Sequence, residues 1–533
     1  MEILTDPGLR ADYSRDTSLF AITPQGVAAP RSAAEVAELV RHASRHPGTS
    51  LTARSGGTDM TGGPLSSSVV VDMQKHINRI VDIQDSRAVV EPGVWYRDLE
   101  KAAAARNLLL PPYPASKDIC TVGGMVANNA GGEKTLAYGK TADYVEALQV
   151  VLSDGKEYTF RPLNRAELEA KINQADFEGK IYQGMFRLLE ENYDIIQKAR
   201  PDVSKNSAGY ALWDVWNSQA GVFDLTRLFS GSQGTLGIIT RITFRLVAPQ
   251  PFSRMLVIFM RDLAPLAKVV RAVRTYAPET FESYDDHTLA LAVRFLPELV
   301  KKMRVKSLLG LAWSFLPELK MILTGGPPKL ILLAEFTGHD PREILRRIQA
   351  ARAALKNFPV QTHITKSEQE VRKYYTIRRE SFNLLRQHTR GHRTAPFIDD
   401  IIVRPDDLPE FLPRLNEIMQ PYDITYTIAG HIGDANFHII PLMDPARPDF
   451  VEIIKELSEK VYALVLEFNG SITAEHNDGL IRSHYLKKMF GADIYKLFEQ
   501  TKQIFDPKNI FNPGKKVGSD WEQVKKHLIR NLD

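Results

Sequence analysis

The chain has 533 residues, 44% of them hydrophobic and 25% charged, with 33 Gly and 31 Pro, a globular composition that excludes the disordered and fibrous classes. At ~100–200 residues per domain, this length predicts two to four structural units. With 68 basic and 64 acidic residues the net charge is +4, which lacks the basic excess of a nucleic-acid binder.

The N-terminus, MEILTDPGLRADYSRD, is polar and acidic and lacks the basic and apolar regions of a signal peptide. No apolar run approaches the ~20 residues that span a bilayer. The single cysteine, Cys120, can form no intrachain disulfide, which predicts a reducing, cytoplasmic setting. One thiol also cannot hold an ordinary iron–sulfur cluster, so a partner carrying one would be a separate chain.

In chain order, Ser32 and Glu35 form a capping-box pair ahead of a helix whose Val36, Leu39, Val40 and Ala43 recur at helical spacing. His46-Pro47-Gly48 ends it. Strands follow at 51–53 and 68–71, and between them lies the loop RSGGTDMTGG, residues 54–63. A second glycine-rich loop, TVGGMVANNAGG, covers 121–132. Residues 148–152 form a strand closed by an Asp154-Gly155 turn. The stretch 160–225 reads as a helical, polar insertion, and 229–246 as strand. APQP at 248–251 is a linker, so a domain boundary is placed there.

From 252 to 465 strands alternate with helices (strands 256–260 and 330–336, helices 263–276 and 341–354), the pattern of an α+β domain with an antiparallel sheet. Within it, 301–329 mixes basic residues with Leu, Trp, Phe and Met. It is read either as a partly buried helix pair or as an amphipathic patch resting peripherally on a membrane. The chain closes with FDPKNIFNPG at 505–514, turn chemistry that fixes the backbone.

Two features carry chemistry. Glycine lets backbone N–H groups approach a ligand, and successive N–H groups make anion-binding concavities. Ser55, Thr58 and Thr61 add hydroxyl donors, so a pyrophosphate is a plausible guest of the first loop; turns alone are the other reading. Neither loop matches G-x-G-x-x-G or the P-loop. The second feature is GHIGDANFH, residues 430–438, followed some forty residues later by GSITAEHNDG, residues 470–479. Turn residues between His431 and His438 can bring both imidazoles together. Two His and one Glu make a catalytic zinc set. Unrelated surface loops are the alternative.

PASKDICTVGGMVANNAGG, GSQGTLGIIT, GHIGDANFH, ITAEHNDG and IFDPKNIFNPGK, in that order across about residues 20–515, resemble the signature blocks of the FAD-linked oxidase family. This is the vanillyl-alcohol oxidase/p-cresol methylhydroxylase superfamily, in its D-lactate, glycolate and D-2-hydroxyglutarate dehydrogenase branch. The resemblance implies a two-subdomain FAD-binding domain at 1–249, an α+β cap domain at 250–515 returning to the flavin, and a tail at 516–533. It implies FAD held by Ser55, Gly56, Gly57, Thr58, Asp59, Thr61 and Gly62 of the first loop. Pro114, Gly123, Gly124, Asn128, Gly131 and Tyr138 would join them, with Gly234, Gly237 and Ile239, and with Asn512 near the isoalloxazine. It further implies a divalent metal (zinc, or manganese or iron) on His431, His438 and Glu475, His476 as general base, and Arg378 as substrate clamp with Arg379 as its rival.

No His stands in the first glycine loop, where some relatives attach FAD covalently, so the FAD is expected to be noncovalent. Asn477 stands where relatives carry Gly, which bears on substrate fit, and Ile398 stands where glutarate-specific enzymes carry Lys. The implied reaction is oxidation of a D-2-hydroxy acid, with electrons passing to a quinone, a flavoprotein or a separate iron–sulfur protein. Three alternatives stay open: an O2-using oxidase, an alkyl-glycerone-phosphate synthase-like transferase, and a non-catalytic FAD-binding subunit.

Overall fold

A computed structural model of the protein describes residues 2–295, 298, 326–388 and 391–530. The basic, apolar stretch read at 301–329 lies outside the described residues as far as 325. The N-terminal half holds two sheets. Strands β1 (Gly26–Ala28), β2 (Leu51–Arg54) and β3 (Val69–Asp72) form a small parallel sheet in the order β1-β3-β2. The helix Ala33–Arg45 covers it through Val36, Leu39, Val40 and Ala43, and Ser32 caps that helix by accepting from Glu35 N.

A five-stranded sheet follows, built from β4 (Ile80–Gln84), β5 (Arg87–Val90), β6 (Val145–Val151), β7 (Glu157–Phe160) and β10 (Ile238–Arg245) in the order β4-β5-β10-β6-β7. The short pair β8 (Trp216–Asn217) and β9 (Val222–Phe223) stands apart from it. The insertion is helical at Arg165–Ile172, Phe177–Glu191 and Tyr193–Lys198. Its Ile181, Tyr182, Met185 and Leu189 are buried in the core of this half.

Two local expectations change. The strand read at 229–246 begins only at Ile238, because Gly231, Gln233 and Gly234 have φ of 91°, 52° and 69°, outside the extended region. The second glycine loop is largely a short helix, Val122–Asn128, ended by Asn129 in the left-handed conformation.

The C-terminal half is an antiparallel sheet of eight strands backed by helices. Its strands are β11 (Phe252–Met260), β12 (Thr280–Asp285), β13 (Leu330–Gly338), β14 (Val360–Ile364), β15 (Arg393–Thr394), β16 (Ile401–Ile402), β17 (Thr425–His431) and β18 (Asn436–Met443). The order is β14-β11-β13-β12-β17-β18-β15, with β16 also pairing β18. The largest core joins this sheet to the helices Leu266–Arg274, Pro341–Ala354, Leu408–Met419 and Phe450–Glu467. The chain then returns to the N-terminal half, where Leu51 pairs with Phe511. No helix among the described residues is long and apolar enough to cross a membrane.

The final helix, Trp521–His527, packs over His484, whose ring centroid is 5.9 Å from Trp521 and 4.0 Å from Tyr485. Both ring nitrogens are buried. Burial pushes its pKa down to about 4. A folded pKa below the unfolded value near ~6.5 means the unfolded chain binds the proton more readily. Stability is therefore full above pH ~6.5 and falls as the pH drops toward 4, by up to about 3 kcal/mol. We expect the denaturant midpoint to fall less between pH 6.5 and 5 in His484→Leu than in the parent chain; equal slopes would refute this.

Candidate functional site

The site begins with a tight hairpin. β17 ends at His431, a single turn with Ala435 at φ 54° reverses the chain, and β18 begins at Asn436. Register places Ala429 opposite His438 and His431 opposite Asn436. Gly430 is required here, since a Cβ would lie 2.1 Å from Asn436 O. The turn brings the imidazoles edge to face, 5.2 Å apart, and His476 stacks on the far side of His438 at 5.0 Å.

Both metal-type histidines converge on one atom. His431 Nε2 lies 2.9 Å and His438 Nε2 3.4 Å from Glu475 Oε1. Each ring is held from behind by a buried carboxylate. His431 Nδ1 is 2.7 Å from Glu282, and His438 Nδ1 is 3.1 Å from Asp399 Oδ1. Asp399 also reaches His476, with Oδ2 2.9 Å from Nδ1. Carboxylate–imidazole pairs of this kind fix the ring and its tautomer behind a metal ligand.

The electrostatics follow from crowding these anions. Burial alone would raise the Glu282 carboxyl, yet Arg378 and His431 bring it down to about 2. Burial likewise opposes charge on His438, but Asp399 and Glu475 lift its pKa to about 10. His476 is raised in the same sense, burial being outweighed by Asp400 and Asp399. The cluster therefore demands positive charge, and a divalent cation between two imidazoles and a carboxylate would supply it. The donor set fits.

Asp400, His438, Glu475 and His476 also lie close enough to share an ion. Asp400 is already committed, however. It accepts from Asn436 Nδ2 (3.1 Å), Thr473 Oγ1 (2.7 Å), Glu475 N (2.9 Å) and His476 N (2.7 Å). It holds the loop that carries Glu475 and His476 rather than offering a free oxygen.

This cluster lines a cavity of about 810 Å³, within the ~300–1,000 Å³ of cofactor sites. Ser55, Gly56, Gly57, Thr58 and Asp59 line it, with Pro114, Gly123, Gly124, Asn128, Gly131, Gly234, Gly237 and Ile239. Arg378, Arg379, His431, His438, Glu475 and His476 line it as well. The two halves meet closely, as a Cβ on Gly131 would lie 2.6 Å from Glu475 Oε2.

Four expected residues stand behind the wall. Thr61 Oγ1 donates to Asp59, and Gly62 packs on Phe20 and Leu480. Tyr138 donates to Glu279 at 3.0 Å. The Asn512 amide donates to Gly63 O and Gln233 O. Asp59 faces the cavity, but its carboxylate accepts from Thr61, Gly63 and Asn128 and so shapes the loop.

Arg378 is ion-paired with Glu282 and keeps its buried Nε without a hydrogen-bond partner, while Arg379 is ion-paired with Glu133. Asn477 does not line the cavity. At φ 72°, the backbone conformation that suits glycine, it donates to Asn128 O (3.1 Å) and Gly231 O (2.9 Å) and so ties the two halves together. Ile398 is fully buried in the cap core and does not line the cavity.

Glu282, Asp399, Asp400 and Lys205 are site residues the sequence reading missed. Asp399 and Asp400 left a signal, two adjacent acids inside the apolar run FIDDII; Glu282 and Lys205 come from distant segments and left none.

Residues 24–161 match the family of FAD binding domains, and 250–516 match that of FAD linked oxidases, C-terminal domain. The chain belongs to the FAD-linked oxidase family. It is 29% identical to a D-2-hydroxyglutarate dehydrogenase of Pantoea ananatis over 95% of this chain and 49% of that protein, so it spans about half the length of that relative. It is 28% identical to the glycolate oxidase subunit GlcD of Bacillus subtilis, covering 96% of this chain and 93% of that one. A D-lactate dehydrogenase of Archaeoglobus fulgidus is 28% identical, with 92% and 91% covered. Among solved structures, 4-ethylphenol oxidase from Gulosibacter chungangensis superposes with a TM-score of 0.68 at 18% identity over 96% and 94% of the chains. p-Cresol methylhydroxylase gives 0.67 at 16% identity over 96% and 93%. The fold of this FAD-linked oxidase is thus the p-cresol methylhydroxylase type, an FAD-binding domain joined to a cap with an antiparallel sheet.

Proposed function

We propose that the chain is an FAD-dependent dehydrogenase that oxidises a D-2-hydroxy acid to the 2-oxo acid. The observation that carries this is the convergence of His431 and His438 on Glu475 Oε1, beside Gly131 of the FAD-binding half. The names of the relatives support the same class. In this reading residues 1–249 bind FAD, 250–515 form the cap, and 516–533 are a tail. The backbone of 55–59 and 123–131, with Gly234, Gly237 and Ile239, would hold FAD noncovalently. The metal ligands are His431, His438 and Glu475.

Bound there, FAD supplies the hydride acceptor at N5 and a divalent cation supplies the Lewis acid that polarises the substrate hydroxyl. The chain's own groups do the rest. Arg378, which lines the cavity, pairs with the substrate carboxylate. Asp399 holds His476 by Nδ1, which leaves Nε2 to take the hydroxyl proton, and stabilises the imidazolium that results. Removal of that proton makes the Cα hydride a better leaving group. The acceptor for these electrons would be a quinone, a flavoprotein or a separate iron–sulfur protein.

The test is an anaerobic titration of the metal-supplemented holoprotein with D-lactate, glycolate, D-malate and D-2-hydroxyglutarate, read at the flavin band. Bleaching by a D-acid and not by its L-isomer is the expected result. Slow reoxidation in air would separate a dehydrogenase from an oxidase. A bound flavin that no hydroxy acid bleaches would overturn the proposal in favour of transferase chemistry.

A further inference from the structure

Lys205 is the least expected member of the site. It comes from the insertion, after the helix Tyr193–Lys198, yet its side chain is 0% exposed and lies among cap residues. Lysine is almost never fully buried without partners. Its Nζ lies 3.3 Å from Glu475 Oε2 and 3.3 Å from Asp434 Oδ2. Both neighbours are buried carboxylates, so Lys205 forms a buried ion pair with each.

The backbone around it cannot retreat. Ser204 Oγ donates to Asp434 Oδ1 (2.7 Å), Ser207 N to Thr473 O (3.1 Å), Ser207 Oγ to Ala474 O (2.9 Å) and Gly209 N to Asp478 (2.9 Å). The segment 204–209 is thus stitched to the hairpin turn between the two histidines and to the loop of Glu475 and His476.

Glu475 is divided between two neighbours. Oε1 faces both imidazoles, and Oε2 faces Lys205. We propose that Lys205 is a positioning residue that limits the affinity of the His431–His438–Glu475 cluster for divalent cations. By occupying Oε2 it leaves the carboxylate one oxygen to offer, and its fixed charge opposes that of the ion. This rests on the metal reading given under Proposed function.

Charge decides the sign of the test. Removing a cation from a buried site strengthens binding of another cation, and removing an anion weakens it. Lys205→Met, and Lys205→Gln, which keeps a donor toward Glu475, are each expected to bind Mn2+ roughly tenfold or more tightly than the parent protein. Asp434→Asn should bind it more weakly. Binding is read by calorimetry and by Mn2+ paramagnetic resonance on the FAD-loaded full chain, with flavin absorbance and melting temperature reporting the fold.

A lysine that merely held the structure together would weaken binding in all three variants. Unchanged or weaker Mn2+ binding by both Lys205 variants, with the parent protein binding normally, would overturn the proposal alone. Failure of the parent protein to bind Mn2+ would overturn the metal reading, and the proposal with it.

Discussion

His476→Ala is expected to bind FAD with an unchanged visible spectrum and to reduce it with the D-2-hydroxy acid ~10²–10⁴-fold more slowly, the usual contribution of a positioned general base. The geometry supports a large effect. His476 is fixed at three places: its backbone N donates to Asp400 at 2.7 Å, its Nδ1 lies 2.9 Å from Asp399, and its ring stacks on His438 at 5.0 Å. A ring so held gives little orientational freedom away when substrate binds. Asp399 keeps negative charge behind the ring, which favours the protonated state reached after the hydroxyl proton moves. No bound-metal contact is removed in this reading, so Mn2+ affinity should change less than the rate does. Stopped-flow reduction under anaerobic conditions makes the measurement. A variant that reduces its flavin at the parent rate would show that another group takes the proton.

The second large effect concerns Asp400, which contacts none of the proposed reactants by necessity and yet underlies the whole catalytic loop. It is fully buried at φ 70°, and four donors end on its two oxygens. Two of those donors are the backbone N–H groups of Glu475 and His476. Asp400→Ala strands all four in a dry interior. A buried donor left without its partner costs about 1–3 kcal/mol, and such losses within one network are not additive, so about 4–5 kcal/mol is expected for the cap. The residues proposed to bind metal and to take the proton would lose their alignment at the same time. Asp400→Ala should therefore unfold at lower denaturant and fail to bleach with substrate, even at temperatures where circular dichroism shows it folded. Parent-like stability would mean that the loop is held by its contacts to 204–209 instead.

The parts of this protein that were legible in its sequence are those governed by local chemistry. The helix at 33–45 was readable because its cap and its apolar spacing act within one turn. The hairpin between His431 and His438 was readable because a Gly-Asp-Ala-Asn turn between strands has few other conformations, and Ala435 indeed takes φ 54°. The five ordered blocks were sufficient for the family, because they report the backbone shapes that a flavin site needs. Density of glycine misled where helix and loop compete. The helix Val122–Asn128 forms despite Gly123 and Gly124, since Val122, Met125 and Val126 are buried in the N-terminal core and tertiary burial overrides propensity.

What only the tertiary structure decided is what lies behind the motif. Glu282 reaches His431 across 149 positions of sequence, and Lys205 reaches Glu475 across 270. Neither spacing leaves a periodic trace, because a buried charge is placed by the partner it must neutralise and not by its neighbours along the chain. Tertiary contact also keeps Asn477 and Ile398 out of the cavity lining. Asn477 satisfies two carbonyls in a joint between halves, and Ile398 fills the core. Motif residues announce themselves through local geometry, but the counter-charges that set their electrostatics are chosen by three-dimensional contact, since a charge can be buried only where the fold brings it an opposite one.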